Sequence, residues 1–245
     1  MISTESKLQY TSVCDVDSCM TTAVIVCGGS SSRMNGVDKM FAEIGGKPIA
    51  AITIDVFEKS CEIDNIIIVT KAESIFKMQQ LCETYGFKKV TDIVEGGSCR
   101  QRSVANGIDK ICDENSIVLI HDGARPFVTE DCIKRVKEAA LKLGACTCAV
   151  KVKDTLKQIN GDRLVVSTLD RDSLVSVQTP QGFNVGLYKM AVEMQQFELE
   201  KFTDDCSVVE ALGINVYTVN GDYNNIKITT AEDLLFAEFL IKRGN

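Results

Sequence analysis

Five short runs of apolar, largely β-branched residues (22–27, 66–70, 89–94, 117–121 and 146–152) are interleaved with stretches whose apolar positions recur at helical spacing. The runs are continuously apolar rather than alternating, which predicts strands covered on both faces. The intervening stretches predict helices over 49–59, 75–85, 100–111 and 130–143. Strand and helix in turn, with buried strands, predict an α/β fold: a doubly wound, mostly parallel, Rossmann-like sheet with helices on each side. Two helix starts are marked by capping-box spacing, Ser98-Cys99-Arg100-Gln101 and the acidic variant Thr230-Ala231-Glu232-Asp233.

The rhythm breaks after about residue 152. Segment 153–177 carries short, polar, β-leaning pieces that do not suit a core strand, and reads as a projecting β-arm able to grip a second subunit. The wound pattern then resumes with helices over 185–196 and 204–212, a strand over 215–219 and a last helix over 231–242. No repeat or linker divides the chain, so 21–245 is expected to be one domain carrying one arm. Residues 1–20 are expected to be a disordered extension. They hold a single basic residue, Lys7, and no apolar core, unlike a signal or transit peptide. The last helix leaves only a few residues after it, so any later step of a pathway is expected to reside on another chain.

Composition narrows the function classes. Of 245 residues, 45% are hydrophobic and 25% charged, and 27 basic against 34 acidic residues give a net charge of −7. An acidic chain lacks the positive footprint that nucleic acid or an anionic membrane needs. No apolar run approaches the roughly 18 residues of a membrane span. The eleven cysteines are scattered, with no C-x-x-C pair, and the one histidine is His121, so the usual zinc spacings are absent. An odd number of cysteines, several inside apolar strands, fits reduced thiols in a cytoplasm.

Ligands of open parallel sheets bind beyond the carboxyl ends of the strands, which selects three places. After the first strand comes Gly28-Gly29-Ser30-Ser31-Ser32-Arg33-Met34, then Asp38-Lys39. Glycines allow close backbone approach, serines add donors, and Arg33 and Lys39 add charge suited to a polyphosphate. It is neither a Walker loop nor a dinucleotide fingerprint; an ordinary βα loop is the competing reading. The fourth strand ends in His121-Asp122-Gly123-Ala124-Arg125-Pro126. There Asp122 could hold Mg²⁺ and Gly123 could admit a nucleotide, while His121 reads as a packed, hydrogen-bonded residue. The third place, Asn224-Asn225-Ile226-Lys227-Ile228-Thr229-Thr230, reads as a short strand with Lys227 held between isoleucines. Cations collected at one sheet edge of an acidic chain point to a strongly anionic ligand. Nucleotidyl transfer, which needs positioning and charge stabilisation, fits them.

These blocks, with Gly45-Gly46-Lys47-Pro48, Gly96-Gly97, Arg100, Ser103-Val104, Gly107, Asp154-Thr155, Lys157, Asp170-Arg171, Gln178-Thr179-Pro180-Gln181 and Thr203-Asp204-Asp205, closely resemble the 2-C-methyl-D-erythritol 4-phosphate cytidylyltransferase family, from about residue 22 to the end. The resemblance implies transfer of the cytidylyl group of CTP to a polyol phosphate, with release of pyrophosphate, in the non-mevalonate route to isoprenoid precursors. It implies that Arg33 and Lys39 bind the triphosphate, Lys227 steadies the α-phosphate and Asp122 ligates Mg²⁺. Cys27, Gly28, Gly29 and Ser31 would form the cradle, and Gly97, Ser98, Ser103 and Gly123 the cytosine and ribose pocket. Thr155, Arg171, Thr179 and Thr203 would hold the acceptor, the first two reaching across a homodimer through the arm. The sequence departs from the family at Ser31, where a second glycine is usual, at Cys27 for alanine, and at Asn224 and Arg102 for acids. Ribitol-5-phosphate cytidylyltransferases share similar blocks, and a noncatalytic nucleotide-binding regulator is the alternative from another class.

Overall fold

The computed structural model describes residues 19–29 and 38–244. Its elements, in chain order, are β1 (Thr21–Val26), β2 (Glu43–Ile44), β3 (Lys47–Pro48), α1 (Ile49–Lys59), β4 (Asn65–Thr70), α2 (Ile75–Tyr85), β5 (Val90–Glu95), α3 (Arg100–Ile108), β6 (Ile117–Asp122), α4 (Glu130–Leu143) and β7 (Ala145–Lys151). There follow β8 (Lys157–Ile159), β9 (Val165–Thr168), β10 (Val175–Asn184), α5 (Val185–Met194), α6 (Asp205–Glu210), β11 (Tyr217–Asn220) and α7 (Ala231–Arg243). Seven strands form one sheet in the order β11-β7-β10-β6-β1-β4-β5. All neighbours are parallel except β10, which runs antiparallel to both β6 and β7.

Strands β1, β4, β6 and β7 are buried on both faces, as their composition requires, whereas β5, at the edge of the sheet, is only partly covered. Ala23, Ile25, Ile66, Ile68, Ile117 and Leu119 point into a core shared with α1, α2, α4 and α7. Their sequence neighbours Val24, Ile67, Val69, Val118 and Ile120 point into a second core, against α3, α5 and α6. Each fully buried isoleucine or valine contributes roughly 1.5–3 kcal/mol of transfer free energy. The two cores therefore fix strand register, because a one-residue slip would exchange every side chain between them. Among the described residues no helix is long and apolar enough to cross a membrane.

Where the structure departs from the sequence reading, the reasons are local. Strand β10 departs from the sequence reading, which assigns no element to 178–184 and places 175–177 in the arm. Pro180 is tolerated because the pairing with β7 shifts between Val177 and Gln181, so the ladder needs no N–H at that point. Helix α3 is capped by Cys99, whose sulfur accepts from Arg102 N, rather than by Ser98, and it stops at Ile108. Asp204 is the N-cap of α6 and forms a capping box with Ser207, so that helix starts one residue later than its pattern suggests. Thr230 and Asp233 form the capping box expected for α7. The segment around Lys227 is not a strand; it docks through Ile228 N, which donates to Ala124 O at 2.9 Å. Segment 153–177 contains the separate hairpin β8–β9 and lies largely exposed.

Candidate active site

Because β1, β4, β5 and β6 are parallel, their carboxyl ends share one rim. β1 delivers Cys27, Gly28 and Gly29 there, β5 delivers Gly97 and Ser98, and β6 ends on Asp122. Residue Arg100, the first of α3, spans from the β5 end to the β6 end. Its Nε lies 3.3 Å from Asp122 Oδ1, and its Nη1 lies 2.6 Å from Asp205 Oδ2.

Asp122 is the hub. On its other oxygen it meets Lys227 Nζ at 2.8 Å and Arg125 Nε at 3.6 Å. Burial opposes its ionisation, but Arg100, Lys227 and Arg125 together outweigh that and hold its carboxyl well below the usual carboxylate range. Asp205 is fully buried, accepting from Arg100 on one oxygen and from the Tyr188 hydroxyl at 2.8 Å on the other. Burial pushes Asp205 upward while Arg100 and Tyr188 pull it down; at 2.6 Å from a guanidinium the carboxylate stays charged. Gln181 secures this end, accepting from Asp205 N at 3.0 Å and Cys206 N at 3.2 Å while donating to Asp204 at 2.8 Å. The cluster thus sets Arg100, Arg125 and Lys227 against Asp122 and Asp205, a surplus of one positive charge. Arg125 donates Nη1 to Asn225 O at 2.7 Å, while its buried Nε has no hydrogen-bond acceptor among the described residues.

The other expected site residues fall into distinct groups. Lys39 opens a short 3-10 turn whose cap is Asp38, accepting from Met40 N; its Nζ would lie 3.7 Å from a Cβ added at Gly29, so the ammonium sits over the β1 loop. Ser31 and Arg33 lie outside the described residues. Cys27 is buried with its N–H bonded to Val69 O, and burial, then Asp38, pushes its thiol far up. Gly123 is glycine for a packing reason: a Cβ there would stand 2.5 Å from Cys27 Sγ and 3.2 Å from Met40 Sδ. At Gly97 a Cβ would collide with the Arg102 side chain. The Ser103 hydroxyl accepts from Gly97 N and donates to Cys99 O, both at 2.9 Å, so it shapes the turn that carries Gly97 and Ser98. Thr179 is buried beside Asp122, whose N–H it accepts at 3.1 Å. Thr203 is exposed just ahead of α6. Thr155 and Arg171 lie on the exposed segment around the hairpin, and Arg171 reaches back to Lys153 O at 3.4 Å. Neither joins the Asp122 cluster within the chain.

Sequence reasoning gave no role to Arg100, Arg125, Asp205 or Tyr188. The first three stand in the quoted blocks, yet no spacing could reveal an ion pair between residues 105 positions apart. A groove of about 530 Å³ between α2 and β5 and a hollow of about 200 Å³ beneath β1 and β4 contain none of the cluster. Chemistry rather than cavity size locates this site. Away from it, Cys61, Glu62 and Glu130 converge at the surface, where Cys61 and Ser60 both donate to Glu130.

As for a metal, Asp122 is one carboxylate already facing three cations. That donor set suits a magnesium ion carried in on a polyphosphate, which needs only one protein carboxylate, and does not suit a cation held by protein ligands alone.

Known proteins resemble this chain over most of its length. Residues 21–243 match the family profile described as 2-C-methyl-D-erythritol 4-phosphate cytidylyltransferase. Enzymes of that name from Clostridium tetani and Dehalococcoides mccartyi are 44% and 46% identical, each aligned over 91% of this chain and over 91% and 96% of their own. The crystal structure of 4-diphosphocytidyl-2C-methyl-D-erythritol synthase from Anaerococcus prevotii superposes with a TM-score of 0.82 at 34% identity, covering 93% of this chain and 98% of its own. With the fold and nearly the full sequence in agreement, the chain belongs to the 2-C-methyl-D-erythritol 4-phosphate cytidylyltransferase family.

Proposed function

We propose that this chain transfers the cytidylyl group of CTP to 2-C-methyl-D-erythritol 4-phosphate and releases pyrophosphate. The observation that carries the reading is the surplus of cations around Asp122 at the strand ends, in a chain whose net charge is −7. The Anaerococcus prevotii synthase is named for a diphosphocytidyl product, so the nucleophile is a phosphate oxygen of the acceptor. It attacks the α-phosphorus of CTP, a new P–O bond forms, and the bond to the bridging oxygen of the β-phosphate breaks. Pyrophosphate leaves with that electron pair. No covalent enzyme nucleophile is needed; orientation and neutralisation of developing charge carry the rate.

In this reading Arg33 and Lys39 bind the triphosphate over the cradle of Cys27, Gly28, Gly29 and Ser31. Lys227 exchanges Asp122 for the α-phosphoryl oxygen, while the buried Arg125 Nε stays beside Asp122. Gly97, Ser98, Ser103 and Gly123 shape the cytidine pocket. Asp122 would hold Mg²⁺ together with the phosphates; the ion supplies charge neutralisation and polarises the phosphoryl group. Thr155, Arg171, Thr179 and Thr203 hold the acceptor, the first two from a partner subunit. Support for that homodimer comes from Ile159, Leu164, Val165 and Val166, all more than half exposed in or beside the hairpin. Consecutive apolar residues on a two-stranded hairpin face both ways and need cover. Buried thiols such as Cys132, Cys146 and Cys148 suit a reducing cytoplasm. The named relatives favour methylerythritol phosphate over ribitol phosphate.

An acceptor panel tests the reading. Pyrophosphate release is expected only when CTP, Mg²⁺ and methylerythritol phosphate are present together. Equal or faster turnover with ribitol 5-phosphate would transfer the assignment to that acceptor, and CTP binding without turnover on any acceptor would favour a regulator. The shared site is tested by mixing Arg171→Ala with Asp122→Ala subunits: partial recovery of activity is expected, and its absence in verified mixed dimers contradicts action across the interface.

A further inference from the structure

His121 is fully buried between β1 and β10, its ring tilted against Phe57 at a centroid distance of 4.9 Å. Its Nε2 lies 3.0 Å from Arg125 O, and its Nδ1 lies 3.0 Å from Thr179 Oγ1. A carbonyl oxygen can only accept, so Nε2 carries the proton. Among the described residues Thr179 Oγ1 has two polar contacts, the Asp122 N–H, which can only donate, and His121 Nδ1; the hydroxyl proton therefore goes to Nδ1, which is bare and accepts it. With its only proton directed to His121, Thr179 Oγ1 accepts from Asp122 N–H at 3.1 Å. Every proton in the chain of contacts is thereby assigned. The imidazole ties both ends of the 121–125 turn, Arg125 directly and Asp122 through Thr179.

We propose that His121 is a positioning residue: locked in the Nε2–H tautomer, it orients Thr179, which fixes the backbone of Asp122 and so aims its carboxylate into the ring of Arg100, Arg125 and Lys227. Two consequences follow for the site. The register shift in β10 between Val177 and Gln181 is the device that turns Thr179 toward β6. Thr179 also has a lone pair but no proton left for a ligand, so it can accept from a hydroxyl of the polyol and cannot donate to a phosphoryl oxygen. The link to catalysis rests on the reading of Asp122 given above; the tautomer does not.

Since this is the chain's one histidine, ¹⁵N-histidine labelling gives a single ring to follow by long-range ¹H–¹⁵N correlation in the ligand-free protein. The expected signature is a protonated Nε2 and a bare, hydrogen-bonded Nδ1, the latter moving to the position of a free acceptor nitrogen in Thr179→Val. An Nδ1–H tautomer, or an Nδ1 signal indifferent to Thr179→Val, overturns the proposal whatever the enzyme's substrate. The kinetic arm uses side chains that keep one contact each. His121→Asn retains an acceptor where Nδ1 stood, and His121→Gln retains a donor where Nε2 stood. A fall in kcat of about 10–100-fold, the usual loss for a group that orients a metal ligand, is expected for His121→Gln and Thr179→Val, with the KM for CTP little changed. His121→Asn should lose less, and Thr179→Ser should recover most of what Thr179→Val loses. If Thr179→Val fails to fold, the order of the two His121 variants decides: His121→Gln as active as His121→Asn overturns the proposal.

Discussion

Lys227 Nζ lies 2.8 Å from Asp122 Oδ2, although the lysine sits in a segment with no regular secondary structure. Backbone docking holds it there: Ile228 is fully buried and bonded to Ala124 O, inside the 121–125 turn. The lysine side chain is still 39% exposed, so it can leave the carboxylate for a phosphoryl oxygen without unpacking its neighbours. Lys227→Ala is expected to lower kcat by about 10²–10³, the loss typical of one transition-state donor, as read by continuous pyrophosphate release. An unchanged kcat would remove Lys227 from the mechanism.

Arg100 joins the two carboxylates, and Asp205 is the partner hidden from solvent. Asp205→Asn keeps an acceptor for Tyr188 but leaves the guanidinium short of a charge. Removing one member of such a buried pair costs about 3–5 kcal/mol, so urea unfolding at pH 7 should show a loss of that order. Replacing Arg100 and Asp205 together with leucine should cost less than the sum of the two single leucine replacements. Additive losses would mean that the pair does not act as a unit.

The packing explanation for Gly123 makes a separate demand. Gly123→Ala places a methyl group against Cys27 Sγ, and overpacking of this kind costs about 1–3 kcal/mol. Adding Cys27→Ala should recover most of that stability in thermal or urea unfolding. If the double variant is no more stable than Gly123→Ala alone, the glycine is required for another reason.

Acid sensitivity follows from His121. Its ordinary value of 6.5 is lowered to about 4 in the folded chain, by burial above all. Between these values the unfolded chain takes up a proton that the folded one refuses, so stability falls as pH drops from about 6.5 to 4 and this contribution levels off below. The full change is of order 3 kcal/mol. Urea unfolding across that range should show a shallower decline in His121→Asn than in the unmodified chain; parallel curves would contradict the assignment.

Much of this was legible from residue order because the strands are buried on both faces. An uninterrupted run such as Ile66–Val69 cannot be mistaken for a surface strand, and the ends of such strands mark the rim without any structure. Asp122 could be nominated that way; Lys227 could not, because the short strand expected around it does not form. The Arg100–Asp205 pair could not, since it is created by α3 and α6 meeting over the second core, and neither residue carries a local signal of that meeting. β10 was concealed for the opposite reason: Pro180 lacks the N–H that a ladder uses, and only the pairing shift beside β7 reconciles it with a strand. The Thr179–His121 contact depends on that irregularity and was hidden with it.

The central claim is that the Asp122 cluster receives a magnesium–nucleotide phosphate, and a crystal grown with a cytidine nucleotide and Mg²⁺ tests it most directly. The account predicts the metal on an Asp122 oxygen, Lys227 Nζ moved from Oδ2 onto the α-phosphoryl group, and Lys39 against the remaining phosphates. A nucleotide bound elsewhere, with the 2.8 Å Lys227–Asp122 contact intact, would contradict it.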